Sequence, residues 1–327
     1  MKKKVSISDY LLKFQDLRKL PNENWEQLRG LMHDLGRQYY ERYPDQLHRI
    51  RKSLQQLSFL RKEPLSENLL AKVLSGIFDH YTEKLFNIVT SESSLQNFIK
   101  TRSGKHGLTT LRHLLKGKRG VLLISGHVGG IELIPAYLCC NGIPSAIVAK
   151  FNNPELLKVS EKQSSRFPNR IINAGSGSQI LRNMFDQLRD NRVVITLCDE
   201  MKEWRPYKDR AVDFLGKTVR LDRTLDLIYR HQKPAVVFAL LHRQEDCRYK
   251  MMLTPLVSPY VENEAHRDIS VSASSLSRLD QYIRRFPEGW YQWSKFDQIQ
   301  DHVCEPSPDI QDLPLYESDW NSQSPTA

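Results

Sequence analysis

The stretch Val121-Leu-Leu-Ile-Ser-Gly-His-Val-Gly-Gly-Ile-Glu132 decides the fold of this chain. Its first five residues form a short apolar run, which is typical of a parallel strand buried on both faces. The glycine-rich middle predicts a tight turn, and residues 131–140 predict the helix that follows it. Open α/β sheets bind their ligands at the carboxyl ends of the strands, so His127 is expected at the functional edge of a sheet.

The same alternation of strand and helix continues from Gly120 to about Phe296. Further strands are predicted over residues 145–149, 170–173, 193–198, 235–242 and 249–254. Helices are predicted between most of them, over residues 154–166, 178–189 and 221–231. This pattern indicates an α/β fold with a mostly parallel sheet flanked by helices on both faces.

The chain before this stretch has a helical pattern. Within residues 67–89, for example, Leu70, Val73 and Ile77 recur at spacings of three and four, which predicts an amphipathic helix. The last 31 residues contain seven acidic side chains and no basic ones, and they are rich in Pro and Ser. We therefore divide the chain into a helical N-terminal region (1–113), an α/β core (114–296) and an acidic irregular tail (297–327).

Composition excludes several classes of protein. The sequence contains no run of 18 apolar residues, which excludes a membrane-spanning helix, and its first residues lack the apolar centre of a signal peptide. The five cysteines (139, 140, 198, 247 and 304) have no metal-ligand spacing. They are expected to be buried, reduced thiols in a cytoplasmic protein.

The net charge of +10 belongs to the front of the chain. Residues 1–120 hold 23 Lys and Arg against 12 Asp and Glu (23 − 12 = +11), whereas residues 121–327 hold 25 against 26 (−1). The densest segment, residues 100–119, contains seven basic side chains and no acidic one. Such a segment suits an anionic membrane surface, an acidic protein or nucleic acid, and the alternative is an ordinary solvated face.

The most specific chemistry is that of His127 and Glu132. A carboxylate about one helical turn after the imidazole can reach back to one ring nitrogen, which leaves the other nitrogen free to accept a proton. Gly129 and Gly130 allow close backbone approach at a helix start, where an oxyanion or phosphate would be stabilised. The alternatives are a histidine bonded to local backbone, or a metal site. The spacing supplies no third ligand, so no metal is predicted.

This His-x-x-x-x-Glu sequence after an apolar strand resembles the motif of the lysophospholipid acyltransferase superfamily, and more closely the lauroyl/myristoyl acyltransferases of lipid A biosynthesis. Four further blocks between about residue 65 and Phe296 are similar to segments of that family. They are 149–154, where Lys150 stands in place of the usual Arg, 193–199, 212–218 and 286–293.

The resemblance implies a glycerolipid acyltransferase-like fold and an O-acyltransferase activity. An acyl group would pass from an acyl carrier protein or coenzyme A thioester to a hydroxyl of a lipid or lipid-like acceptor. His127 would be the general base and Glu132 would orient it; no cofactor beyond the thioester is implied, and no nucleic-acid partner. The residues expected to bind substrate, from the glycine turn and from the blocks that resemble the family, are Gly129, Gly130, Lys150, Asn153, Asp199, Gly216 and Glu288. For Asp199 and its neighbour Glu200 the alternative is a structural ion pair with Lys150 or Arg220.

One departure from the family concerns the membrane. The lipid A enzymes usually begin with a hydrophobic anchor helix, and residues 1–60 offer none. The basic segment is expected to replace it by peripheral attachment to the inner face of the cell membrane, or to attract an acidic carrier protein; a soluble acceptor is the third option. Two other functions stay open, an acyl-thioester hydrolase and a non-catalytic module that binds a membrane or a carrier.

Overall fold

A computed structural model describes residues 24–150, 169–201, 205–257 and 270–299, together with positions 7, 10, 157, 158, 160, 161 and 164. The predicted helix over residues 154–166 falls largely outside the described residues. The tail predicted from residue 297 is described only as far as residue 299.

Between residues 24 and 120, five helices precede the first described strand. Polar side chains define several of their starts: Asn24, Ser66 and Ser91 each accept a hydrogen bond from a backbone amide three residues later. The helices are α1 (Trp25–Arg42), α2 (Pro44–Arg61), α3 (Glu67–Val89), α4 (Glu92–Arg102) and α5 (Leu108–Leu115).

A six-stranded sheet follows, and its strands agree closely with the predicted ones. They are β1 (Val121–Ser125), β2 (Ser145–Ala149), β3 (Asn169–Asn173), β4 (Val193–Leu197), β7 (Ala235–Arg243) and β8 (Tyr249–Val257). The order is β3-β2-β4-β1-β7-β8, and every neighbouring pair is parallel except the edge pair β7–β8. All five residues of β1 are buried, because β1 lies between β4 and β7 and both of its faces are covered. The α/β fold class is therefore confirmed.

The described helices that accompany the sheet include two that the sequence pattern missed. Those after β1 are α6 (Ile134–Cys140), α7 (Ile180–Arg189), α8 (Arg223–Gln232), α9 (Val271–Arg285) and α10 (Trp293–Phe296). Neither α9 nor the short α10 was predicted. A separate antiparallel hairpin, β5 (Pro206–Phe214) and β6 (Lys217–Asp222), was not predicted either.

The N-terminal helices share their core with the sheet. Leu54 and Leu57 of α2 belong to the same buried cluster as Leu122 of β1, and Trp25 of α1 lies in a second cluster with Leu123, which points to the opposite face. The helical region thus covers the sheet directly. Among the described residues, no helix combines the length and the apolar character needed to cross a bilayer.

Candidate active site

The sheet order places His127 beside Asp199. Strands β1 and β4 are parallel neighbours in which Ser125 pairs with Leu197, so His127 and Asp199 each lie two residues beyond that pair, at the carboxyl edge. The sequence predicted both residues at strand ends, but the strand order is what makes them neighbours. The expected position of His127 at the functional edge of the sheet agrees with the structure.

Asp199 is fixed by several donors at once. Its Oδ1 lies 2.7 Å from His127 Nδ1, its two oxygens accept from the backbone amide of His127 at 3.2 and 3.0 Å, and Trp290 Nε1 donates to Oδ2 at 2.8 Å. The side chain has no exposed surface. Asp199 was predicted to bind substrate, but it is inaccessible to one. Its contacts are those of a carboxylate that orients the imidazole.

Glu132 does not touch His127, contrary to the expectation that it would reach back to the ring. The chain enters a 3₁₀ turn at Ile131–Leu133, which directs the carboxylate towards α3. There Glu132 Oε1 lies 3.6 Å from Lys84 Nζ and 3.8 Å from His80 Nε2. The geometric role predicted for Glu132 is therefore taken by Asp199.

The second ring nitrogen of His127 also faces a carboxylate. Glu200 Oε1 lies 2.9 Å from His127 Nε2. Unlike Asp199, the Glu200 side chain is 43% exposed. The imidazole is thus held between an inner carboxylate and an outer one.

These charges determine the protonation of the site. Burial disfavours the charged imidazole, but the charge of Asp199 and the hydrogen bonds to Asp199 and Glu200 outweigh it and raise the pKa of His127 to about 9. Burial opposes ionisation of Asp199 as well, yet the His127 contacts and the Trp290 hydrogen bond hold the pKa of Asp199 below its ordinary value. The hydrogen bond to His127 lowers the pKa of Glu200. In this state the ring is an imidazolium between two carboxylates.

The glycine turn has a packing role. Gly129 has a φ of +52°, and its amide donates to the Gly289 carbonyl at 2.8 Å; the Gly130 amide donates to the Leu241 carbonyl at 2.8 Å. A Cβ at Gly129 would lie 2.3 Å from the Leu241 oxygen. The two amides that were predicted to bind substrate therefore already have backbone partners in this structure.

The block 286–293 contributes aromatic side chains to the site. Tyr291 donates its amide to the His127 carbonyl at 3.2 Å, and its ring meets the imidazole edge-on with centroids 5.2 Å apart. The other neighbour of this ring is His80, stacked on it at 3.3 Å between centroids. Glu288, predicted to bind substrate, lies in the 3₁₀ turn Pro287–Gly289, where its backbone packs against Gly76 of α3.

The remaining predicted residues lie at different places. Lys150 follows β2 at the carboxyl edge of the sheet and is exposed. Gly216 occupies the β5–β6 turn, where Leu215 and Gly216 have φ values of +51° and +76° and where Leu60 of α2 packs against it. Such a pair of positive φ values is typical of a tight hairpin turn, which explains the glycine without a ligand. Asn153 lies outside the described residues.

The cysteines do not have the environment of nucleophiles. The four in the described residues are free thiols. Burial raises the pKa of Cys139 to about 11 and that of Cys198 well above its ordinary range, so neither thiol ionises readily. In the part of the chain that the structure describes, no group of three or more His, Cys, Asp and Glu side chains is placed to hold a metal ion.

Several site residues lie beyond what the sequence signals indicated. Arg243, at the end of β7, donates to Glu83 Oε1 at 2.7 Å and approaches the Gly129 carbonyl at 3.4 Å, so it ties α3 to the glycine turn. His80 and Lys84 lie on α3, as Glu83 does. One face of α3 supplies all three side chains, but no spacing rule relates that face to the His127 motif some 45 residues later.

Comparison with known proteins identifies the family of this chain. The family profile for bacterial lipid A biosynthesis acyltransferases matches residues 28–295. A comparison with curated protein sequences gave no significant match. The profile match confirms the resemblance drawn from the sequence blocks. Because the match spans most of the chain, from α1 to α10, this protein belongs to the bacterial lipid A biosynthesis acyltransferase family.

Proposed function

We propose that the protein transfers a fatty acyl group from an acyl carrier protein or coenzyme A thioester to a hydroxyl of a lipid or lipid-like acceptor, with His127 as the general base. The observation that supports this most is the position of His127 at the carboxyl edge of the sheet, with Nδ1 bound to a buried carboxylate. That arrangement fixes Nδ1 as a donor and leaves Nε2, which faces the partly exposed Glu200, as the nitrogen that can act as the base.

The proposed reaction needs no covalent intermediate on the enzyme. Nε2 of the neutral imidazole takes the proton of the acceptor hydroxyl while the oxygen attacks the thioester carbonyl carbon. The tetrahedral intermediate then collapses, the carbon–sulfur bond breaks, and the thiolate takes the proton back from Nε2. The products are an ester and a free thiol.

The roles of the two carboxylates differ in this proposal. Asp199 holds the tautomer and stabilises the imidazolium that forms. Glu132 acts indirectly from the neighbouring 3₁₀ turn, where it lies beside Lys84 and His80, and His80 stacks on Tyr291. The glycine-turn amides have partners already, so Lys150 is the remaining candidate from the sequence for stabilising the oxyanion.

The test is a transfer assay. The purified protein is incubated with an acyl carrier protein thioester, or with an acyl coenzyme A, and a lipid extract, and the products are weighed by mass spectrometry. An acylated lipid supports the proposal. Free fatty acid as the main product would assign the protein as a thioester hydrolase, and no turnover of either donor would assign it as a binding module.

A variant connects the assay to the site. His127→Ala should abolish transfer, and His127→Gln, which preserves more of the side-chain volume, should do the same. Circular dichroism and thermal melting check that both variants fold. Wild-type turnover in a folded His127→Ala protein would overturn the proposed mechanism.

A further inference from the structure

Glu200 contacts Nε2 of His127, the nitrogen on which the proposed chemistry depends. Its Oε1 lies 2.9 Å from Nε2 of His127, while Asp199 Oδ1 lies 2.7 Å from Nδ1. The two carboxylates are held very differently. Asp199 is buried and bound by three donor groups, whereas nearly half of the Glu200 side chain is in contact with solvent.

This arrangement blocks general-base catalysis. An ionised carboxylate accepts hydrogen bonds and donates none, so both ring nitrogens of His127 carry a proton when both contacts are formed. A doubly protonated imidazole has no lone pair with which to take a proton from a hydroxyl. His127 therefore becomes a base only when Nε2 loses its proton and its contact with Glu200.

Other titratable groups surround this pair on several sides. Tyr291 meets the imidazole edge-on, and His80 stacks behind Tyr291 and is close enough to His127 for their charges to interact. Lys295 lies on the Glu200 side and favours its ionised form. Beyond Tyr291, Glu132 and Lys84 form a pair of opposite charge. Of these groups, Glu200 is the one that touches Nε2.

We propose that Glu200 determines specificity for the acceptor over water, by holding His127 inactive as a base until an acceptor hydroxyl displaces it from Nε2. This inference rests on the proposed acyl transfer. A bound acceptor makes many contacts that can offset the loss of one partly exposed ion pair. A water molecule makes few, so it competes poorly for the same position.

The side reaction that Glu200 suppresses is hydrolysis. A neutral His127 would take a proton from water as the water oxygen attacks the thioester carbon; the carbon–sulfur bond breaks and the thiolate receives that proton. The products are a fatty acid and a thiol. Without Glu200, the imidazole would be neutral more often, whether or not an acceptor is present.

The first measurement concerns the free protein and needs no substrate. In Glu200→Gln the side chain keeps its size but loses its charge, so the midpoint of the His127 titration, followed by NMR, should fall by about one pH unit. Glu41→Gln, which removes one charge from the exposed surface of α1, serves as the matched control and should leave the midpoint unchanged. An unchanged midpoint in Glu200→Gln would overturn the inference.

The second measurement is thioester hydrolysis without acceptor. A midpoint lower by one unit means about ten times more neutral imidazole at pH 7, so thiol release by Glu200→Gln should rise by up to tenfold, and the acid limb of kcat/KM should move to lower pH. If Glu200 had a merely structural role, Glu200→Gln would lower the rate of thiol release and leave the acid limb of kcat/KM at its wild-type pH. Glu200→Asp keeps the charge on a shorter side chain, so its rate of thiol release should lie between those of the wild type and Glu200→Gln.

The failure of this inference can be told apart from the failure of the proposed function. A wild-type protein that turns over neither donor would overturn both. A wild-type protein that transfers acyl groups, with hydrolysis by Glu200→Gln at the wild-type rate, would overturn the role of Glu200 alone.

Discussion

At the scale of single residues, the choice of partner for His127 decides the chemistry. Asp199 and Glu132 are both carboxylates at the correct edge of the sheet, and each could in principle orient the imidazole. The structure selects Asp199, because the 3₁₀ turn carries Glu132 towards Lys84 while the β1–β4 pairing carries Asp199 towards Nδ1.

The variant Asp199→Asn tests this selection. The amide cannot hold the same tautomer or stabilise the imidazolium, so kcat should fall by about 10²–10⁴-fold, more than in Glu132→Gln. Because the charge of Asp199 raises the pKa of His127, its removal lowers that pKa, and the acid limb of the residual activity should move to lower pH. A larger loss in Glu132→Gln than in Asp199→Asn, measured with both proteins folded, would restore Glu132 as the orienting residue.

Sequence could place these residues at strand ends but could not pair them. His127 and Asp199 both follow buried apolar runs, and that signal is local. Their contact depends on β4 lying beside β1 in the order β3-β2-β4-β1-β7-β8, which no residue near either strand encodes. The engaged amides of Gly129 and Gly130 likewise depend on Leu241 and Gly289, which are more than 100 residues away along the chain.

At the scale of secondary-structure elements, α3 is the helix that connects the N-terminal region to the site. It packs Gly76 against the carbonyl of Glu288, and it carries the Glu83 carboxylate to Arg243. Asp79 of the same helix binds Arg29 at 2.6 Å and His33 at 2.8 Å, both from α1. Movement of α3 would therefore disturb both α1 and the 3₁₀ turn that contains Glu288.

Gly76→Ala tests the contact with the site. Its Cβ would lie 1.9 Å from the Glu288 oxygen, so α3 and the turn must separate, at an expected cost of about 1–3 kcal/mol in the free energy of unfolding. The turn precedes Trp290 and Tyr291, so kcat should fall too. Gly30→Ala on α1 is the matched control: open space surrounds that position, and helix propensity predicts a gain of up to ~1 kcal/mol. Equal melting temperatures in the two variants would contradict this packing.

Asp79→Asn tests the junction between α1 and α3. Burial would raise the pKa of Asp79, but the hydrogen bonds from His33 and Arg29 lower it to about 2. A depressed pKa stabilises the fold above about pH 4, and the stabilisation disappears as the pH falls through about 2. The variant should lose about 2 kcal/mol at pH 7 by denaturant unfolding and approach the wild type near pH 2. The control Asp34→Asn, in an exposed pair with Arg37, should change stability little; a pH-independent loss in Asp79→Asn would exclude this linkage.

The hairpin and helix α9 were missed because each begins with a polar stretch that lacks the pattern of its secondary structure. The first half of β5 is exposed and charged, so it lacks the apolar alternation by which strands are predicted. Helix α9 begins with four serines among its first seven residues, and serine favours caps and turns over helix interiors. Side-chain hydrogen bonds compensate. The Ser272 hydroxyl donates to the Asp222 carbonyl outside the helix, and the Ser275 hydroxyl donates to the Val271 carbonyl within it.

At the scale of the whole molecule, the end of the basic segment and the site lie at different edges of the sheet. Lys116 and Lys118 follow α5 and precede the first residue of β1, so they lie at the amino edge of the sheet, whereas His127 lies at the carboxyl edge. In the proposed reaction, the acyl donor brings its thioester to the carboxyl edge. The basic residues just before β1 are therefore better placed to bind a surface than to hold the reacting end of a substrate.

The fourfold variant Lys100→Glu, Lys105→Glu, Lys116→Glu and Lys118→Glu tests that role. If these lysines contact an anionic membrane, binding to anionic vesicles should weaken in the variant, and in the wild type it should weaken as salt rises, because exposed charges are screened beyond about 8 Å at physiological ionic strength. The apparent KM for a membrane acceptor should rise more than kcat falls, since His127 and Asp199 are unchanged in the variant. Reversing four lysines elsewhere (Lys72, Lys158, Lys208 and Lys233) alters net charge equally and controls for its general effect.

Titration with an acyl carrier protein distinguishes the other partner: carrier binding that is lost while vesicle binding persists would assign the basic segment to the donor. Unchanged binding to both, with wild-type kinetics, would show that the segment is a solvated surface and would remove the argument for peripheral attachment.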